Sequence, residues 1–159
     1  MAFLHTLYDT FFNLALVISF ISWVTAQLLK MLGGYVRERR WDWSFFIRSG
    51  GMPSAHTALV TSLAITVGFL EGFGSTVFGV AAVFALIVMY DAAGVRRAVG
   101  IQAGILNRIL RELKGRRPKD LENDVRELLG HTPVQVFSGA AVGTAVAVIG
   151  LLITGNLNF

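Results

Sequence analysis

Charge is missing from four long stretches of this chain. No charged residue occurs from Thr10 to Leu29. Ser49 to Leu70 holds only the ionisable His56, and Gly72 to Tyr90 and Thr132 to Phe159 hold none. A helix needs about 20 apolar residues to cross a hydrocarbon core of about 30 Å. Lipid offers no partner for open backbone N–H and C=O groups, so each stretch is expected to be helical. A soluble domain carries charge on about a quarter of its residues, whereas this chain is 15% charged and 54% hydrophobic. Four such stretches in 159 residues argue against buried helices of a soluble protein. The first stretch has no basic segment ahead of it and runs directly into Gln27, Leu28, Leu29 and Lys30, so it reads as a permanent span rather than a cleaved signal.

Spans are therefore expected at 11–30, 54–70, 74–91 and 134–154. The fold class is all-α: a polytopic membrane helix bundle with about four transmembrane spans plus interfacial amphipathic helices. Residues 1–159 are read as one domain. The turn between spans two and three is short, and the other two connections are long and charged. Four spans place those two connections on one side. All 14 Lys and Arg residues fall in them or at their helix ends. An excess of cations marks the cytoplasmic side of a bacterial-type inner membrane.

Within the second connection Ile101, Ile105, Ile109 and Leu113 recur every four residues, with Arg108, Arg111 and Lys114 on the other side. That period predicts a helix lying in the interface plane. A second short helix is expected after Asp120, ending at Gly130. Trp41, Trp43, Phe45 and Phe46 read as an interfacial aromatic belt.

Up-and-down topology gathers four groups of residues at the basic face. They are Lys30 with Arg37, the segment from Ser49 through Gly51, Pro53 and Ser54 to His56, Asp91 with Arg96 and Arg97, and His131 with its neighbours to Pro133. Ionisable groups at span ends are costly and usually serve a site. Arginine supplies forked bonds to phosphate oxygens. Gly50 and Gly51 let backbone N–H groups approach an anion, and Pro53 is expected in the first turn of the following helix. Of two histidines, one can attack phosphorus and the other can protonate the leaving oxygen. The chain has no cysteine, which excludes disulfides and thiolate metal sites. Nucleic-acid binding is not expected, because the Arg116–Lys119 cluster has no interleaved aromatics and lies beside the membrane.

The same residues carry a family resemblance. Lys30 and Arg37 have the spacing of a Lys-x6-Arg-Pro motif, with Glu38 at the proline position. Pro53-Ser-Ala-His56 resembles Pro-Ser-Gly-His. Arg96 or Arg97 with His131, and Gln135 four residues on, resembles Ser-Arg-x5-His-x3-Asp with a long insertion and an amide in place of the carboxylate. Over nearly its whole length the chain resembles the divergent bacterial branch of the type 2 phosphatidic acid phosphatase family, related to acid phosphatases and vanadium haloperoxidases.

The resemblance implies a metal-independent lipid phosphatase without a cofactor, acting on a lipid phosphate or pyrophosphate. It implies His131 as nucleophile, forming a phosphohistidine, and His56 as general acid. Lys30, Arg37, Arg96 and Arg97 would hold phosphate, helped by Ser54 and the Gly51 backbone. Asp91 is the carboxylate at the same face that can stand in for the one Gln135 replaces. The alternative is a non-catalytic lipid-phosphate binder or transporter that keeps the anion site. Expected partners are the lipid substrate and membrane lipids, with a homodimer as one option for the assembly.

Overall fold

A computed structural model of the chain describes residues 13–39, 51–94 and 132–157, together with helical positions 101, 102, 104–106, 108, 109 and 112. No strand occurs among the described residues. Four helices make the body: α1 Leu14–Glu38, α2 Ala55–Glu71, α3 Thr76–Ala93 and α4 Pro133–Ile153. Three segments are long and apolar enough to cross a membrane: Leu14–Val36, Thr76–Ala93 and Pro133–Ile153. The fourth helix, Ala55–Glu71, is apolar and shorter. Its 17 residues rise only about 26 Å.

Local chemistry sets the ends of these helices. The Asn13 side chain accepts the Leu16 N–H at 3.1 Å and starts α1. Ser54, Ser75 and Thr132 cap α2, α3 and α4 in the same way. A side-chain oxygen at that position replaces a carbonyl that the first turn lacks. Gly72 leaves α2 at φ 89°, a conformation that favours glycine, and opens the turn into α3. Phe73 folds back over Gly68 and meets Phe69 and Phe78 edge-to-face, with ring centroids 5.2 and 5.0 Å apart.

Two expectations need correction. The first helix does not stop near residue 30 but runs without a break to Glu38. Seven residues in an α-helix bring the register back to nearly the same face. Lys30 and Arg37 therefore share a face of α1, two turns apart, rather than sitting on a helix end and a following loop. Pro53 does not occupy the first turn of α2, because Ser54 takes the cap and the helix begins at Ala55. Pro53 precedes the cap, buried, after a cis Met52–Pro53 bond.

Helix α2 is the axis of the bundle. It packs against the other three helices and buries nine of its residues, against three on α3. Its neighbours approach through small residues. A Cβ on Gly139 would strike the Ser54 carbonyl oxygen, and one on Gly143 would strike that of Ala58. Contacts that advance by four residues in the same direction on both helices make α2 and α4 parallel. Gly139 and Gly143 form the small-xxx-small face by which membrane helices pack closely. Beside this seam, Ala26 of α1 packs with Ala55 and Ala58, and the Ser22 hydroxyl donates at 3.0 Å to the same Ala58 carbonyl that Gly143 abuts. Helix α3 joins α2 through Val60, Ala64 and Val67 against Ala81 and Ala85.

The outward faces are apolar, including Phe20, Leu28, Val80, Leu86 and Phe137. In water so much exposed apolar surface would mark an interaction site or an aggregation liability. On spanning helices it is the surface that meets lipid. In the second connection the described positions are helical, as the period predicts. Ile101, Ile105 and Ile109 are exposed, and Arg108 pairs with Glu112 at 3.2 Å. The aromatic residues 41–46 and the segment 120–130 lie outside the described residues.

Candidate functional site

The site is built where the end of α1 meets the starts of α2 and α4. Lys30 points into the bundle there, although it is a cation near the end of an apolar span. It is 6% exposed, and its Nζ donates to Gln27 Oε1 at 2.8 Å. Gln27, one turn earlier on the same face, is 7% exposed. Among the described residues no carboxylate pairs with the ammonium. Isolated charge in a low-dielectric interior is costly, so this placement calls for a reason beyond folding.

The segment leading into α2 lies over the lysine stem. Gly51 sits at φ 88°, a region that favours glycine. A Cβ there would come within 3.3 Å of both Lys30 Cγ and Cδ. Glycine thus serves two needs at once, the left-handed backbone and the close approach to Lys30. Three residues on, Ser54 is fully buried. Its Oγ accepts the Thr57 N–H at 3.4 Å and the Thr57 hydroxyl at 3.0 Å.

Ser54 also ties two helices together, because its backbone N–H donates to the Gln135 carbonyl at 3.0 Å. Directly beneath, Gly139 admits the Ser54 carbonyl into the α4 surface. The N-termini of α2 and α4 therefore lie side by side and open toward one face. First-turn N–H groups lack intrahelical carbonyl partners and carry the positive end of the helix dipole. Two such ends, one of them entered through the Gly51 segment that covers the Lys30 stem, make an arrangement suited to an anion.

Gln135 stands where the resembled pattern has a carboxylate. Its Oε1 accepts the Thr132 N–H at 3.0 Å, and its own N–H approaches Thr132 Oγ1 at 3.4 Å. This reciprocal pair is a capping box, so the amide shapes the start of its own helix. His56, the second residue of α2, has an exposed side chain. Asp91 is half-buried in the last turn of α3, and the antiparallel course of α3 brings that turn to the same end of the bundle.

Of the residues expected at the site, the structure brings together Lys30, Gly51 and Ser54, with His56 and Asp91 at the same end. Arg37 is placed by its helical register, and its side chain lies outside the described residues, as do Arg96, Arg97 and His131. Sequence reasoning missed Gln27 and Gly143, and it met Gly139 only as part of the third motif rather than as a packing residue. Gln27 carried a readable signal, since an amide three residues before a lysine in an otherwise apolar span shares its face. Gly139 and Gly143 carried one too, as a small-xxx-small pair inside an apolar helix.

Residues 11–146 match the family described as the Divergent PAP2 family. YuiD of Bacillus subtilis strain 168, described as an uncharacterized membrane protein, is 35% identical over 147 residues, covering 86% of this chain and 93% of the relative. No solved structure matches the chain. With the match spanning α1, α2 and α3 and most of α4, this integral membrane protein belongs to the Divergent PAP2 family.

Proposed function

We propose that the protein is a metal-independent membrane phosphatase acting on a lipid phosphate or pyrophosphate. One observation carries the reading: the buried Lys30 ammonium, held by a neutral amide, with its stem under the Gly51 segment that leads into the paired N-termini of α2 and α4. That combination favours a multiply charged anion over a carboxylate built into the protein. The surrounding apolar surface suits an amphiphile whose head group reaches the site while its tail stays in lipid. The basic connections favour the cytoplasmic leaflet of a bacterial inner membrane.

In this reading Lys30, Arg37, Arg96 and Arg97 hold the phosphoryl oxygens, and the Gly51 backbone lines the anion's seat. Ser54 acts from beneath as the cap that joins α2 to α4. A ring nitrogen of His131, the residue before the Thr132 cap, attacks phosphorus. The bond to the leaving oxygen breaks, and His56 delivers a proton to that oxygen. Water then attacks the phosphohistidine, releasing inorganic phosphate and restoring His131. The cations stabilise charge on the equatorial oxygens throughout. Asp91 is the carboxylate available to steady the imidazolium.

A second reading, a lipid-phosphate binder or transporter without turnover, is favoured by Gln135. Its oxygen is engaged in the capping box and an amide stabilises imidazolium less than a carboxylate does. Phosphate release from phosphatidic acid and from a polyprenyl pyrophosphate, by purified protein in nanodiscs, separates the two. Turnover that His131→Ala abolishes supports the phosphatase. Full activity in that variant removes His131 as nucleophile. A lipid phosphate retained in native mass spectrometry, with no release across the panel, supports the binder.

A further inference from the structure

We infer that Gln27 is the positioning residue for Lys30, and that its being an amide rather than a carboxylate is what leaves the lysine's charge for an anion. This rests on the reading of Lys30 as a phosphate-binding residue. Gln27 itself lies inside the first uncharged stretch, where a polar side chain needs a purpose.

A free lysine side chain has several rotatable bonds and loses much rotamer entropy when it is ordered. Here that freedom is removed from two directions. The stem lies under Gly51, which cannot gain a Cβ without pressing on Lys30 Cγ and Cδ. The head is fixed by Gln27 Oε1 at 2.8 Å. Ordering the cation before ligand arrives lowers the cost of binding.

The identity of the acceptor matters as much as its position. The ammonium has three donors, and the amide oxygen takes one. An amide offsets no charge. A glutamate would keep nearly the same shape and the same hydrogen bond while forming an ion pair. In an interior where water is scarce that pair would largely cancel the field at the site. The amide therefore places the lysine without itself cancelling its charge.

The test uses the full chain in nanodiscs, with inorganic phosphate as the probe and thermal unfolding measured alongside. Gln27→Glu is expected to unfold near the wild-type temperature yet bind phosphate more weakly by on the order of tenfold, because the new charge competes with the ligand. Gln27→Leu keeps the charge and loses the placement, so its phosphate affinity should fall by a smaller factor. Should Gln27→Glu fail to fold, Gln27→Leu with reductive methylation of the Lys30 amine still decides: loss of placement predicts faster modification than in wild type. Wild-type phosphate affinity in Gln27→Glu, or unchanged Lys30 reactivity in Gln27→Leu, overturns the role of Gln27. Lys30→Met separates this from the parent reading: if it binds phosphate as wild type does, Lys30 is not a phosphate ligand and both ideas fall together. A structural role for Gln27 would instead lower affinity and unfolding temperature in parallel, which also overturns the inference.

Discussion

The backbone N–H of Ser54 donates to the carbonyl oxygen of Gln135 at 3.0 Å. That bond fixes the start of α2 against the first turn of α4. It sets how far apart the Gly51 segment and the residues around Thr132 can lie. Bonds between helices at this point require the backbones to approach closely, and Gly139 makes the approach possible.

Gly139→Leu should therefore separate the two caps. Its Cβ meets the Ser54 oxygen and Thr57 Cβ, and overpacking of this kind costs about 1–3 kcal/mol. The expected outcome is a lower unfolding temperature in detergent together with weaker phosphate binding. Gly79→Ala is the control. No atom lies within 4 Å of a Cβ there, and replacing glycine inside a helix should stabilise by about 0.5–1 kcal/mol.

Gly51→Ala should also be destabilising, for a different reason. At φ 88° an alanine pays the left-handed penalty of about 1–2 kcal/mol. It also pushes on the Lys30 stem from 3.3 Å. Thermal unfolding should register the first effect and phosphate titration the second. An unfolding temperature and affinity both equal to wild type would contradict this account of the loop.

Lys30→Met is expected to split stability from function. Methionine fills much of the same volume without a buried charge, and replacing buried ionic groups by apolar ones is often neutral or stabilising. Unfolding temperature should hold or rise while phosphate binding is lost. A large fall in stability would mean that Lys30 serves mainly to hold the fold.

Gln135→Leu removes one half of the capping box and should cost about 1 kcal/mol, the usual scale of a lost cap. Gln135→Glu can rebuild the box and should unfold near the wild-type temperature. If Gln135→Leu melts like the wild type, the bond between Gln135 Oε1 and the Thr132 N–H contributes little to the start of α4.

Much of the bundle could be read from hydrophobic runs and charge gaps, because a spanning helix must satisfy its backbone internally and shed its charges. The boundaries were less legible. Residues 31–38 carry Gly33, Gly34, Arg37 and Glu38, which suggested a loop, yet they continue α1 to Glu38. Met31 and Gly34 are buried on that extension, so packing against the bundle outweighs the helix-weakening glycines there. At Pro53 the sequence offered a plausible first-turn proline, but the adjacent serine is the better cap, since its side chain can accept the Thr57 N–H.

The uncharged runs were enough to read a chain that spans a membrane as helices, with its cations confined to two connections and their helix ends and with Lys30, Gly51, Ser54, His56 and Asp91 at the borders of those runs. These follow from the cost of charge and open backbone in lipid, which acts on each segment separately. Packing of the four helices made α2 the sheathed central helix, turned Lys30 inward onto Gln27, and joined Ser54 to Gln135 above Gly139. Those depend on which small residues let two particular backbones meet, and no single segment carries that information.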